Sequence, residues 1–420
     1  MTSGSLTSFV NVPNRPDRAV LPLNIEHQVH SLRRDHRIPK VYGSNPRSFD
    51  IAKFAKYHNL CAVYEWLKQH GGQAAGVDGI TFSDVSNTER NAILKQIARE
   101  LTEGTYCPGL TREVPVPKGT NGGTRQLAIP TLFDRVVMKA LLLCLNDYWR
   151  RILSGYGRDV WLIYAIMQQA IWREQKYVLA IDDIRNCYPS APIEQVLHTQ
   201  QSYLNQPDLM SLVERIIRGQ CGPHHTTGLE QGSPYSPVAM ESFLHNSLDT
   251  VMTVRFPGLT QLRYVDNTTY LCRDSNEGEQ ILQTANEILS EAQLRLKRED
   301  GPPQDIRDPN HNRTLLGLIP NWTNGEIQLS IPESAYSDLD TGMTMTKGSP
   351  KPVMATRRTM LGWINAVGPT LTNSIAPGIV DRVSSMALQK GFREFSRSEL
   401  LNTAREARKR WLNLTRRYSR

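Results

Sequence analysis

The sequence predicts an α+β protein, and three observations carry that prediction. Leu262-Arg263-Tyr264-Val265 and Thr268-Thr269-Tyr270-Leu271-Cys272 are rich in β-branched and aromatic residues and flank Asp266-Asn267, which reads as a hairpin with an acidic tip. Upstream, the short apolar run Tyr177-Val178-Leu179-Ala180-Ile181 reads as a strand and ends in Asp182-Asp183-Ile184. Around these strands, apolar residues recur at helical spacing over several long segments. Two strands that each deliver a carboxylate at one end can set those carboxylates side by side, which is what two-metal phosphoryl transfer needs. Asp and Asn are also ordinary turn residues, so the tip alone decides nothing.

In chain order, residues 1–47 are rich in Pro, Asn and Arg, lack periodicity, and read as an N-terminal extension. Apolar positions Ile51, Phe54, Ala55, Leu60, Val63 and Leu67 predict a helix over 50–69, closed by Gly71-Gly72. A second helix is predicted over 88–101. Val114-Pro115-Val116-Pro117 is extended, because each proline holds its predecessor in the β region. Residues 132–149 read as a largely buried helix, 279–296 as an amphipathic helix, 315–319 as a strand, and the region from about 350 onward as helical and basic. The sequence holds no internal repeat and no low-complexity tract.

Composition narrows the function classes. The chain has 420 residues, with 49 Lys/Arg against 41 Asp/Glu and a formal net charge of +8. From Lys390 to Arg420 there are ten Lys/Arg and three Asp/Glu, so a net +7 sits at the C-terminal end. That asymmetry suits a polyanionic partner. Cys61, Cys107, Cys144, Cys187, Cys221 and Cys272 are dispersed without a C-x-x-C pair, which argues against a zinc site or a disulfide framework. The apolar stretches 136–145 and 160–172 are interrupted by Lys139 and by Gln168-Gln169 and are too short to cross a bilayer. No signal-peptide pattern opens the chain. These features predict a cytoplasmic protein without a membrane partner. His224-His225 lacks a further ligand at sensible spacing and reads as a loop pair.

Five segments then fall in a telling order: Ala75-Gly76-Val77-Asp78-Gly79-Ile80-Thr81; Val114-Pro115-Val116-Pro117-Lys118 leading through a Gly-rich turn to Thr124-Arg125-Gln126-Leu127-Ala128-Ile129-Pro130-Thr131 and Asp134-Arg135-Val136-Val137; Asp183-Ile184-Arg185-Asn186-Cys187-Tyr188-Pro189-Ser190; Gly228-Leu229-Glu230-Gln231-Gly232-Ser233-Pro234-Tyr235-Ser236-Pro237; and Tyr264-Val265-Asp266-Asn267. The fourth segment is the most specific. Over roughly residues 75–320 this series resembles the bacterial reverse transcriptases related to group II intron-encoded enzymes.

The resemblance implies a right-hand polymerase fold, with fingers over 48–160, a palm with an antiparallel sheet over 161–320, and a basic helical thumb over 321–420. It implies RNA-directed DNA synthesis, in which a primer 3′-hydroxyl attacks a dNTP with two Mg²⁺ ions, Mn²⁺ being an alternative. Asp183 and Asp266 match the family's catalytic carboxylates. The Ile184 carbonyl matches a further metal ligand, and Asn267 stands where the family normally has a second Asp; its amide oxygen could still ligate, with one negative charge fewer. Asp182 competes with Asp183, but neighbouring side chains on a strand face opposite ways, and Asp183 puts Ile184 and Tyr188 in the family's register. Lys118 and Arg125 match residues that grip the incoming triphosphate. Tyr188 matches the aromatic that rejects a ribose 2′-hydroxyl, Gln231 and Gly232 match residues at the nucleotide, and Lys297 matches, loosely, a lysine near the leaving pyrophosphate. Leu316-Gly317 resembles the strand that supports the primer end.

By the same resemblance the partners are template RNA or DNA, a non-coding RNA, dNTPs, and a second reverse transcriptase subunit or another copy of the chain. The setting implied is antiphage defence by a stand-alone enzyme. Two other functions compete. One is template-independent or protein-directed synthesis of simple-sequence DNA, with the extension 1–47, including Glu26, Arg33 and Arg34, lying in the template cleft. The other is a catalytically impaired RNA-binding scaffold, suggested by Asn267.

Overall fold

The computed structural model describes residues 39–41, 46–117, 123–153, 155–299, 301–349 and 351–418. Most of the extension 1–47, including Glu26, Arg33 and Arg34, lies outside the described residues, and so does Lys118.

A four-stranded sheet in the order β4-β5-β3-β6 organises the fold. Its members are β3 (Val178–Asp183), β4 (Gln261–Tyr264), β5 (Asn267–Cys272) and β6 (Gln304–Asp305), and the paired neighbours run antiparallel. In β3 the side chains alternate between two cores. Val178 and Ala180 join one, and Leu179 and Ile181 join the other. Tyr270 and Cys272 of β5 extend the first core, and Leu271 the second. A strand buried on both faces reads as an unbroken apolar run, which is why its period-2 pattern was hidden in the sequence.

The first core also gathers α1 (Ile51–Phe54), α2 (Tyr57–His70), α3 (Asn87–Glu103), α4 (Leu132–Ile152), α6 (Ile193–Leu204), α7 (Pro207–Arg218), α8 (Ser236–Leu244) and α10 (Ser275–Glu291). The second gathers α5 (Val160–Glu174), the β7–β8 hairpin (Ile319–Thr323 and Glu326–Ser330) and the C-terminal helices α11 (Glu333–Met345), α12 (Pro352–Ala366), α13 (Ala376–Gln389) and α14 (Arg397–Tyr418). Between α8 and the short α9 (Thr250–Arg255), one π turn spans His245–Asp249. The hairpin of β1 (Arg112–Pro117) and β2 (Thr124–Ile129) projects from the first core.

Several boundaries moved for identifiable reasons. The predicted helix over 50–69 is two helices, because Lys56 leaves helical geometry at φ −52°, ψ 131°. α3 begins one residue before the predicted start, where Ser86 and Glu89 form a capping box. α10 starts early, capped by Asp274, and stops at Glu291 rather than running to 296, since Leu296 leaves to bridge Ile184. The predicted strand 315–319 is a tight turn: Leu315 and Leu318 pair across Leu316 and Gly317, whose φ angles are 48° and 91°. Regular strand begins only at Ile319. Among the described residues no helix is long and apolar enough to cross a membrane.

Candidate active site

The carboxylates of interest meet at one edge of the four-stranded sheet. Asp183 ends β3 and lies directly opposite Asn267, the first residue of β5. Tyr264 pairs with Asn267, so Val265 and Asp266 form a two-residue hairpin turn. Val265 has φ +56°, a conformation that β-branched residues rarely adopt and that costs about 1–3 kcal/mol. The Ile184 N–H donates to the Asp266 carbonyl at 2.9 Å, which ties the hairpin tip to the residue after β3.

Asp182 and Asp183 face opposite ways, as strand alternation requires. Asp182 is buried at 2% exposure, and its carboxylate accepts from the Asp183 N–H at 2.8 Å and the Arg298 N–H at 3.2 Å. Asp183 stays half-exposed. Its Oδ2 accepts from Lys297 Nζ at 2.6 Å and its Oδ1 from Asn267 Nδ2 at 2.9 Å. Burial raises the Asp266 pKa above its ordinary value, and the Asp183 charge adds to the rise; Lys297 and Arg125 pull it partly back. Arg125 on β2 is exposed and near enough for Asp266 to feel its charge.

The other candidates sit around this edge. The Ile184 side chain is buried, and no hydrogen bond to its carbonyl is found among the described residues. Tyr188 packs in the first core at 8% exposure, so little of its ring remains for a ligand. The Gln231 carbonyl accepts from Ala128 N–H at 2.8 Å, which fastens the Gln231-Gly232 loop to β2. Gly232, with φ +137°, lies against that strand: a Cβ there would come within 2.1 Å of the Ala128 carbonyl oxygen. The protein's own backbone thus requires glycine at 232. Leu316-Gly317, expected as a supporting strand, is the turn described above, and its carbonyls at Leu315 and Leu316 accept from the Tyr164 hydroxyl.

Sequence reasoning gave no role to two groups, Asp134, which it placed in the second motif, and Arg263 with its partners. Asp134 is buried and accepts from Tyr106 Oη at 2.7 Å, Gly109 N–H at 3.0 Å and Thr131 Oγ1 at 2.6 Å, which locks the chain before β1 onto α4. Arg263 and its acidic partners lie behind the hairpin. For Asp134, a Thr three residues upstream was a visible capping signal; for Arg263, the only signal was a charge inside an apolar strand.

Among the described residues no group of three or more His, Cys, Asp or Glu side chains is placed to hold a metal ion. The donor set at the edge nonetheless fits a hard divalent cation bound together with substrate oxygens, for which one or two carboxylates suffice. Asp183 and Asp266 supply those, and the Asp266 pKa is raised by burial first and by the Asp183 charge second, both of which a cation would offset. Asn267 does not present an oxygen here: its amide nitrogen faces Asp183, and its Oδ1 accepts from Thr269 Oγ1 at 3.4 Å. The site is an open edge. A groove of about 800 Å³ lined by Glu194, His198, Met210 and Phe243 lies apart from the carboxylates.

Comparison with known proteins fits this geometry. Residues 116–299 match the family model "Reverse transcriptase (RNA-dependent DNA polymerase)", a span that runs from β1 past Lys297 and includes both carboxylates. That span is similar to a reverse transcriptase domain, a class that generally uses divalent metal ions, and here it lies on an α+β fold built around an antiparallel sheet. Protein YkfC of Escherichia coli (strain K12) is 39% identical over 84 residues, 20% of this chain. The chain spans about a fifth (21%) of that relative's length. A solved structure of telomerase from Candida albicans with a TWJ fragment of telomeric RNA aligns at TM-score 0.44 and 12% identity, covering 74% of this chain and 62% of the telomerase chain.

Proposed function

We propose that the chain is an RNA-directed DNA polymerase that extends a primer 3′-hydroxyl with dNTPs at the Asp183–Asp266 edge. The observation that carries this reading is the meeting of those two carboxylates within the matched reverse transcriptase span. Two divalent ions, Mg²⁺ in the cell, would be held by Asp183, Asp266 and the Ile184 carbonyl, and would supply activation of the 3′-hydroxyl and neutralisation of the triphosphate. Arg125 and Lys118 hold the triphosphate, Gln231 borders the base and sugar, and the Tyr188 ring edge disfavours a ribose. Lys297, whose Nζ pairs with Asp183, is assigned to the departing pyrophosphate. The fingers, palm and thumb are assigned to 48–160, 161–320 and 321–420, with the basic α14 following the template–primer backbone.

Purified chain, with any RNA that accompanies it, supplied with dNTPs or rNTPs and Mg²⁺ or Mn²⁺, tests the proposal beside D183A. DNA that requires Asp183 supports it, and the product sequence separates copying from untemplated synthesis. Preferential rNTP use overturns the role of Tyr188. The resemblance to stand-alone bacterial enzymes extends the proposal to antiphage defence with a non-coding RNA; equal phage plating on cells carrying wild type and D183A removes catalysis from that role.

A second reading, a catalytically impaired RNA-binding scaffold, is favoured by one observation: Asp183 is held by a lysine and an amide. N267D separates the two. A polymerase gains metal affinity from the added charge, whereas a scaffold gains no activity at any metal concentration.

A further inference from the structure

We propose that Arg263 is a positioning residue for Asp266: anchored from behind by Glu241 and Asp249, its guanidinium fixes the Val265–Asp266 peptide and so aims the carboxylate at the hairpin tip. The inference deepens the polymerase reading of this site and rests on it.

Arg263 lies on β4 at 5% exposure, and every one of its N–H groups is used. Nε donates to Asp249 at 2.9 Å; Nη2 donates to Asp249 at 2.7 Å and to Glu241 at 3.0 Å; Nη1 donates to Glu241 at 2.7 Å and to the Val265 carbonyl at 2.9 Å. The two acids come from α8 and from the end of the π turn, and both are largely buried. Gln261 Nε2 adds a bond to the Asp249 carbonyl at 2.8 Å, so the π turn is fastened to β4 at two points. π turns are uncommon insertions that concentrate at functional sites. Here the insertion brings the Asp249 carboxylate under Arg263.

The bond that matters is the one to the Val265 carbonyl. Val265 is held at φ +56°, against its own preference, and its carbonyl belongs to the peptide that leads into Asp266. A rigid, fully desolvated guanidinium fixed by two carboxylates is a firm anchor for that peptide, because its planar fork fixes direction as well as distance. Without it, the turn is free to relax toward the φ that valine prefers, which rotates the Asp266 backbone away from the Asp183 side. Outer partners of this kind typically alter metal affinity or activity by about 10–100-fold.

The test uses the full chain and Mn²⁺ as probe. R263K keeps one positive charge but concentrates its donors at a single point, so it cannot serve two carboxylates and the Val265 carbonyl together. Mn²⁺ binding, followed by electron paramagnetic resonance without nucleotide, is expected to weaken by about 10–100-fold. In primer extension kcat should fall while KM for dNTP changes little. V265G in the R263K background should recover part of the Mn²⁺ affinity, since glycine accepts positive φ without restraint. Wild-type Mn²⁺ affinity in folded R263K, no recovery with V265G, or no Mn²⁺ binding by the wild type each overturns the proposal. If R263K does not fold, D249N answers instead. It leaves one carboxylate for one guanidinium, so no buried charge is stranded, yet slackens one side of the anchor; unchanged Mn²⁺ affinity there overturns the proposal too. Wild type that binds Mn²⁺ but adds no nucleotide defeats the polymerase reading while the Mn²⁺ comparison still judges Arg263.

Discussion

Two clusters of charge lie on opposite sides of the β4–β5 hairpin, and they are built to opposite rules. Behind it, Arg263, Glu241 and Asp249 are buried and bonded until no guanidinium donor is left over. In front, Asp183 and Asp266 share a sheet edge, Asp183 held by Lys297 and Asn267 among the described residues, and the Asp266 pKa raised by burial and by the Asp183 charge. The rear cluster resolves its electrostatics within the protein. The front cluster leaves them unresolved, and unresolved carboxylates are where a fold can accept a cation and a phosphate.

The contrast breaks most sharply at Asp183. D183A should lower nucleotide addition by about 10²–10³-fold or more while leaving the thermal midpoint nearly unchanged, as primer extension and calorimetry will show. R263A is the mirror case. It strands two buried carboxylates without their cation and should cost about 3–5 kcal/mol of stability in a chemical denaturation series.

Acid should take the two clusters apart in order. The folded-state pKa of Asp266 is raised, so its protonated form favours the folded protein; that contribution is complete below the ordinary carboxylate value of 3.8 and is lost as pH rises through the raised value. D266N should therefore raise the thermal midpoint at pH 7 by roughly 2–4 °C per kcal/mol of relieved repulsion, while abolishing activity. Asp249 runs the other way. The Arg263 charge and hydrogen bonds overcome its burial and hold it down at about 2, so its contribution is present above the ordinary value and is lost only as pH falls through about 2. Carboxylate signals followed by NMR should show Asp266 titrating well before Asp249 on acidification. The smallest effect belongs to Lys297. Its ion pair with Asp183 is partly exposed, so K297M should change stability by no more than about 1 kcal/mol, and any larger loss in extension rate would mark a role beyond the pair.

The same contrast explains what the sequence disclosed. Strand alternation is a local rule, and the structure does set Asp182 and Asp183 on opposite faces, while the choice of Asp183, Ile184 and Tyr188 rested on the register of the family resemblance. The hairpin at 264–267 and the capping of α3 by Ser86 were likewise local. Arg263 could not be read, since its partners lie 14 and 22 residues away on helices whose packing decides the contact. Helix α7 carries Leu209, Leu212, Val213, Ile216 and Ile217 at helical spacing, a local signal that sequence reasoning left unused, and the strand expected at 315–319 failed because two consecutive residues with positive φ turn the chain. The proximity of Lys297 to Asp183 depends on the bridge between Ile184 and Leu296, a pairing across more than a hundred residues.

One contact sets the mechanics of the β1–β2 hairpin. The Ala128 N–H is bonded to the Gln231 carbonyl, and Gly232 rests against the Ala128 carbonyl with no space to spare. The root of the hairpin is thus bolted to the loop that carries Gln231 and cannot slide over it. Arg125, three residues further along β2, takes its position relative to Gln231 from that tie, so the register of one contact sets the spacing between two candidate nucleotide-binding residues.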